Sequence, residues 1–78
     1  MTNEVIVNLK EVEKTKRFAM VASKFISDID AVRNKYTVDA KSILGLLTLD
    51  LSEPLLIKIN SNDEIEIRKF NEVMEEFK

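Results

Sequence analysis

The chain has 78 residues, of which 12 are basic and 14 acidic, and these values favour a single small globular domain spanning residues 1–78. The absence of cysteine excludes disulfide bonds and thiolate metal sites. No apolar run reaches the roughly 18 residues of a membrane-spanning helix, and the N-terminus lacks a signal-peptide pattern. We therefore expect a cytoplasmic protein without a metal or cofactor. The mixed charges also argue against binding to nucleic acid, and the missing apolar run argues against a membrane protein.

The first element has the pattern of a strand and the second has the pattern of a helix. Apolar and polar residues alternate from Glu4 to Leu9, which predicts a strand with one buried face. From about Val12 to Ile26 the apolar spacing becomes that of an amphipathic helix, which we expect Ser27 to end. The residues expected to face the core are Val5, Val7, Leu9, Phe18, Ala22 and Phe25.

A hairpin and a short helix are predicted next. Two segments whose side chains alternate between two faces lie on either side of Asn34-Lys35, which predicts a hairpin. A tight two-residue turn favours glycine where Lys35 stands, so a looser turn is the alternative. Ser42 to Leu49 is apolar at nearly every position, which leaves helix and strand undecided. Ser42 is a plausible N-cap, and it favours a helix of about two turns. Gly45 lies where a capping box would have Glu or Gln, so no capping box is expected.

The last part of the chain predicts a loop, a strand and a helix. The loop covers Asp50 to Pro54, the strand Leu55 to Asn60, and the helix follows Asp63. Its apolar stripe is Ile67, Phe70, Val73, Met74 and Phe77. The resulting order βαββαβα predicts an α+β fold, with an antiparallel sheet covered by helices on one face. We expect the central core to contain Phe18, Ala22, Phe25, Ile57, Ile59, Ile67, Phe70 and Met74.

Two segments carry a resemblance to a known family. One is Lys41-Ser42-Ile43-Leu44-Gly45, and the other is Ala22-Ser23-Lys24-Phe25, which precedes it at the matching distance. Together they resemble the regulatory-serine region of the histidine-containing phosphocarrier protein (HPr) family. This family belongs to the bacterial sugar phosphotransferase system. The resemblance needs no gap from Ala22 to about Asn60. It implies an open-faced β-sandwich whose four antiparallel strands lie in the order first, fourth, second, third, with three helices on one face.

The family's phosphoryl-accepting residue is missing. In the family, a histidine before the first helix, in a His-Ala-Arg-Pro sequence, accepts a phosphoryl group from enzyme I. Counting back from Ser42 without a gap puts Glu11 in the place of that histidine and Glu13 in the place of the arginine that pairs with phosphate. Phosphoryl transfer through histidine is excluded, because the chain contains none. Glu11 could form an acyl phosphate, although a solvated carboxylate is the simpler interpretation, and Thr15 is a poorer candidate.

Ser42 belongs to the part of the family motif that is intact. In Gram-positive members, the matching serine is phosphorylated by a dedicated ATP-dependent kinase. A histidine-free relative, the catabolite-repression HPr-like protein, keeps this serine and acts as a corepressor. The resemblance therefore implies that Ser42 is a regulatory phosphorylation site, and phosphate is favoured at a helix N-terminus. The alternative is that Ser42 only caps its helix.

The resemblance also implies a surface for binding proteins. Ile43, Leu44 and Leu47 of the short helix would supply it, together with Met20 or Phe18 of the first helix. Some of these side chains must be exposed, because a short helix that is apolar all round cannot bury every side chain. The alternatives are a core helix or a dimer interface.

Three functions remain open. The first is a histidine-free HPr-like regulatory module, not an enzyme, that is phosphorylated at Ser42. Its partners would be an HPr-type serine kinase, a catabolite regulator or other phosphotransferase-system proteins. The second is a phosphocarrier component with a non-histidine acceptor. The third is a structural or oligomerising domain without phosphoryl chemistry.

Overall fold

The structure is a computed structural model that describes residues 2–78. Its elements, in chain order, are β1 (Glu4–Val7), α1 (Val12–Ala22), β2 (Asp28–Arg33), β3 (Tyr36–Asp39), α2 (Ile43–Leu46), β4 (Leu55–Asn60), α3 (Glu64–Met74) and a 3-10 turn (Glu75–Phe77). The predicted order βαββαβα is confirmed. Within residues 2–78, no helix is both long and apolar enough to cross a membrane.

The four strands form one antiparallel sheet in the order β1-β4-β2-β3, which confirms the expected topology. One row of cross-strand neighbours runs through Val5, Ile57, Ala31 and Val38. The first three are buried and Val38 packs against the core, so this face carries the helices. The alternation that predicted the strands comes from this arrangement, since successive side chains of a strand point to opposite faces.

The core lies between the sheet and the helices. All the residues expected there are buried, except that Ile67 is only partly buried. Two edge-to-face aromatic pairs lie within the helical layer. Phe18 of α1 meets Phe77 at a centroid distance of 5.1 Å, and Phe25 meets Phe70 of α3 at 6.4 Å. The first pair packs α1 against the C-terminal turn, and the second packs the segment after α1 against α3.

The β2–β3 hairpin has the tight two-residue turn rather than a looser one. Arg33 pairs with Tyr36, so only Asn34 and Lys35 form the turn. Asn34 has a φ of 55°, whereas Lys35 is not in a positive-φ conformation. Glycine is therefore not required at Lys35, because only the first turn position is left-handed, and asparagine tolerates that conformation.

The predicted end of α1 is wrong, because the helix ends at Ala22 rather than at Ile26. The last turn tightens: the Lys24 N–H donates to the Val21 carbonyl at 3.2 Å, and the Phe25 N–H donates to the Ala22 carbonyl at 3.1 Å. This tightening places Phe25 in the core although it lies outside the helix.

The other two differences in length also have local causes. β1 ends at Val7, because the Asn8 N–H donates to the Phe77 carbonyl at 2.7 Å instead of continuing the ladder. α2 ends at Leu46 rather than at Leu49. The Leu49 N–H donates to the Leu46 carbonyl at 3.1 Å, a three-residue spacing that replaces the helical one. Both Leu46 and Leu49 are buried.

Candidate functional site

Ser42 is the N-cap of α2, as predicted. Its backbone is extended (φ −99°, ψ 111°), and its Oγ accepts a hydrogen bond from the Gly45 N–H at 3.0 Å. The preceding turn is held by Asp39, whose carbonyl accepts the Ser42 N–H at 3.0 Å and whose Oδ1 accepts the Lys41 N–H at 2.9 Å. The hydroxyl is therefore fixed at the start of the helix.

Gly45 allows α2 to lie close to strand β3. A Cβ at this position would lie 3.3 Å from the Val38 Cβ and 3.4 Å from the Ser42 Oγ. The Gly45 N–H donates to the hydroxyl because it lies three residues after the N-cap. Ser42 itself is half-buried. The sequence showed that a capping box was absent, but it did not show that glycine serves the contact with β3.

Four residues form an exposed apolar surface, which we call the α1–α2 patch: Met20, Ile43, Leu44 and Leu47. Leu44 is 76% exposed, Met20 63% and Leu47 42%, while Ile43 is partly buried. Phe18, considered above as a member of this surface, is fully buried against Phe77. Because α1 presents Phe18 to the core, only Met20 reaches the patch.

A shallow depression of about 320 Å³ lies between α1 and α2. Its lining consists of Lys16, Ala19, Met20, Ser23, Lys41 and Ile43. The Lys41 Nζ donates to the Phe25 carbonyl at 2.8 Å, and the Lys16 Nζ lies 3.6 Å from the Glu13 carboxylate. The depression thus joins Met20 to Ile43 and has basic groups at its edges.

The two carboxylates singled out by the resemblance lie at the start of α1. Glu11 is the exposed N-cap residue, but its side chain makes no capping hydrogen bond. Its carbonyl accepts the Thr15 N–H at 3.1 Å and the Thr15 Oγ1–H at 2.8 Å. Thr15 is fully buried, so its hydroxyl is a structural group. Glu13 is exposed in the first turn, and its contact with Lys16 is a surface pair.

The residue before Glu11 has an unfavourable backbone conformation. Lys10 has a φ of 63°, and the Glu11 N–H donates to the Leu9 carbonyl at 2.7 Å, which closes a three-residue turn. The Lys10 N–H donates to the Leu51 carbonyl at 3.0 Å, so the turn is tied to the loop before β4. The sequence gives no sign of this turn, because no glycine marks the position.

A bidentate ion pair connects α1 to the C-terminal turn. The Arg17 Nε donates to the Glu76 Oε2 at 2.7 Å, and the Arg17 Nη2 donates to the Glu76 Oε1 at 3.0 Å. The hydrogen bond and the charge of Arg17 lower the pKa of the Glu76 carboxyl, and the same pair raises the pKa of Arg17. The pair therefore stabilises the packing of α1 against the end of the chain.

Neither Glu11 nor Ser42 lines the depression between α1 and α2. Glu11 and Ser42 begin two different helices, whereas Met20 and Ile43 line one depression. Residues 2–78 contain no group of three or more side chains arranged to hold a metal ion. The arrangement is that of a capped serine beside an exposed apolar surface.

Comparison with known proteins supports the family assignment. Residues 11–78 match the protein family described as PTS HPr component phosphorylation site. The fold is similar to the crystal structure of HPr-C-His from Thermoanaerobacter tengcongensis, with 28% identity, a TM-score of 0.72, and coverage of 92% of this chain and 90% of that chain. No curated protein sequence gives a significant match.

A second solved structure has the same fold. The histidine-containing phosphocarrier protein of a Mycoplasma is 20% identical, with a TM-score of 0.69 and coverage of 94% of this chain and 92% of that chain. The family match spans most of the chain, and the sheet order, the helical layer and the Ser42 cap agree with the expected architecture. The chain therefore belongs to the HPr phosphocarrier family of the bacterial phosphotransferase system.

Proposed function

We propose that the chain is a histidine-free HPr-like regulatory protein that binds other proteins through the α1–α2 patch and is phosphorylated at Ser42. The observation that carries the proposal is the position of Ser42, whose Oγ lies 3.0 Å from the Gly45 N–H at the edge of an exposed apolar surface. On this proposal residues 1–78 act as one cytoplasmic domain, and the protein is not an enzyme.

The start of α1 does not suit histidine-type phosphoryl transfer. The chain has no imidazole, and Glu11 and Glu13 stand where the resemblance places the family's histidine and arginine. Both carboxylates are exposed, so their repulsion of an incoming phosphoryl group is modest. The missing imidazole and the missing arginine are the stronger reasons, because carboxylates occupy both positions.

A phosphate on Ser42 would alter the α1–α2 patch directly. It would bring a charge of about −1.5 to −2 to a position whose oxygen already accepts the Gly45 N–H. α2 has only four residues, so local N–H groups rather than a long helix dipole would hold the phosphate. The nearby Lys41 ammonium already binds the Phe25 carbonyl. The outer phosphate oxygens would therefore be available to an Arg or Lys of a partner protein.

The expected partners follow from this regulation. An HPr-type serine kinase would add the phosphate, and a catabolite regulator or another phosphotransferase-system protein would recognise the patch. We expect recognition by the regulator to be weaker than in the family, because Glu13 stands where the family has an arginine. Tight, ordinary binding of the phosphorylated protein would show that this arginine is dispensable.

The test is intact-mass analysis after two separate incubations. With enzyme I and phosphoenolpyruvate we expect no added phosphate, and with the serine kinase and ATP we expect one. Ser42→Ala should remove the second product. Ser23→Ala is the matched control, because Ser23 lines the depression beside the α1–α2 patch but donates its hydroxyl to the Ala19 carbonyl at 2.8 Å. Equal labelling of the wild type and Ser42→Ala would rule out Ser42 as the site.

Two results would replace the proposal with an alternative. A hydroxylamine-sensitive phosphate obtained from enzyme I would identify an acyl phosphate and favour a phosphocarrier with Glu11 or Glu13 as acceptor. The absence of phosphate after both incubations would favour a structural or oligomerising domain without phosphoryl chemistry.

A further inference from the structure

The sheet face opposite the helices carries an apolar row across all four strands. Ile6 of β1 pairs with Leu56 of β4, Leu56 pairs with Val32 of β2, and Val32 pairs with Thr37 of β3. These residues alternate with the buried ones, so they point away from the core. Ile6 is 53% exposed although it is a large apolar residue on an edge strand. We call this surface the open sheet face.

Acidic groups lie on one side of the apolar row. The next row contains Glu4, Lys58, Asp30 and Asp39, and Asp28 lies beyond it opposite Asn60. Within the described strands this face therefore has four carboxylates and one ammonium group. Its net charge of about −3 gives it a negative potential beside the apolar row.

The opposite side of the molecule also carries an exposed apolar surface, but its neighbouring charges have the opposite sign. The α1–α2 patch is apolar, with Leu44 76% and Met20 63% exposed. Lys16 and Lys41 line the adjoining depression, and the Glu13 carboxylate lies 3.6 Å from Lys16, so these three groups together carry one net positive charge. One surface thus combines apolar residues with a net negative charge, and the other combines apolar residues with a net positive charge. Two such surfaces can dock with both charge and apolar complementarity.

We propose that the open sheet face of one copy of this protein binds the α1–α2 patch of a second copy. The contact is head-to-tail, because the two surfaces lie on opposite sides of the sheet. A symmetric pairing of two open sheet faces is disfavoured, since it would bring two net negative surfaces together. A head-to-tail contact leaves one free surface at each end, so further copies can add. This inference goes beyond the proposed regulation and does not depend on phosphorylation of Ser42.

Sedimentation equilibrium of the unmodified protein tests the contact. The average mass should rise with protein concentration in low salt, measured up to about 1 mM because small interfaces are weak. It should fall again when the salt is raised to about 0.5 M, because exposed opposite charges are screened. A symmetric pairing of acidic faces would instead strengthen with salt. A constant monomer mass, or an association that salt strengthens, would overturn the proposal.

Two single variants give a sharper test of the head-to-tail geometry. Ile6→Lys alters the open sheet face, and Leu44→Glu alters the α1–α2 patch. Each variant alone should associate about tenfold more weakly, as expected for loss of a central contact. Their equimolar mixture should form a 1:1 dimer that does not grow, because one intact surface remains on each. A mixture that stays monomeric would contradict the geometry.

Controls separate loss of the interface from loss of the fold. Ile65→Lys and Ile65→Glu introduce the same side chains at a residue of α3 that is 74% exposed and outside both surfaces. They should associate like the wild type, and equal weakening would overturn the proposal. Circular dichroism confirms folding of each variant. If Ile6→Lys does not fold, Glu4→Lys takes its place, since it reverses an exposed charge on the same face.

Discussion

The Glu66 carboxylate accepts the Ile26 backbone N–H at 3.1 Å, although the two residues are 40 positions apart. The same Oε1 atom accepts the Ser27 N–H at 3.2 Å and the Ser27 hydroxyl at 3.1 Å. One side chain of α3 thus satisfies the backbone where the chain leaves α1 and enters β2. This relationship holds the turn that places Phe25 against Phe70.

Removing the Glu66 carboxylate should destabilise the fold. Glu66→Ala should lower the free energy of unfolding by about 1–2 kcal/mol, because several donors lose a charged acceptor at a partly exposed site. Glu66→Gln should lose less, since it keeps an oxygen acceptor. Urea unfolding measures the difference, and Glu72→Ala, at an exposed position of α3, is the control. Equal losses for Glu66→Ala and Glu72→Ala would contradict this role.

The elements of the fold were predictable where the sequence has a strong local pattern. Alternation gave β1, the hairpin and β4, and the stripe through Phe70 and Met74 gave α3. The end of α1 was not predictable, because the acceptor for the Ile26 N–H comes from Glu66, a distant residue. Local periodicity cannot indicate such a distant contact, so the apolar spacing predicts a helix that is longer than α1.

The candidate site was predictable in part, for similar reasons. The short apolar helix implied exposed side chains, and the Ser42 cap followed from its residue type. The close approach of Gly45 to Val38 is a tertiary feature that the local sequence does not indicate. The left-handed conformation of Lys10 has no signal in the sequence, since long side chains rarely adopt it.

The cap at Ser42 should be measurable apart from any phosphorylation. Ser42→Ala should lower the free energy of unfolding by about 1 kcal/mol, because the Gly45 N–H loses its acceptor. Ser23→Ala should have a smaller effect, since its hydroxyl donates to a carbonyl of the preceding helical turn. Thermal and urea unfolding of the unphosphorylated proteins measure both. Equal losses of unfolding free energy in the two variants would show that the Ser42 cap does not stabilise the helix more than an ordinary serine hydroxyl does.

Glycine should be favourable at Lys10 but not at Lys35. Lys10→Gly relieves a left-handed conformation, and this gain exceeds the entropic cost of glycine, so stability should rise by about 0.5 kcal/mol. Lys35 itself has no positive φ, so Lys35→Gly should lower stability by about 0.5–1 kcal/mol. Urea unfolding compares the two variants. A loss of stability in Lys10→Gly would contradict the assigned strain.

The Arg17–Glu76 pair should make stability depend on pH in the acid range. The pKa of Glu76 is lower in the folded protein than in the unfolded chain, because Arg17 stabilises the carboxylate. Its contribution is therefore present above the ordinary glutamate pKa of about 4.3 and is lost as the pH falls through the lowered folded value. Glu76→Gln should melt below the wild type at neutral pH, and the gap should close at low pH and in high salt. A difference in melting temperature that is independent of pH would show that the charge of Glu76 does not contribute to stability.

Restoring the family's residues at the start of α1 should restore some phosphoryl transfer from enzyme I. Glu11→His supplies an imidazole at an exposed N-cap, but Glu13 remains as a nearby negative charge, so we expect little product. The double change Glu11→His with Glu13→Arg adds a cation that can pair with the phosphate, and it should yield more. Intact mass and acid lability identify phosphohistidine. Glu72→His is the control, because it places a histidine on α3, away from the start of α1. Equal product from the single and double variants would show that the arginine position has no electrostatic role.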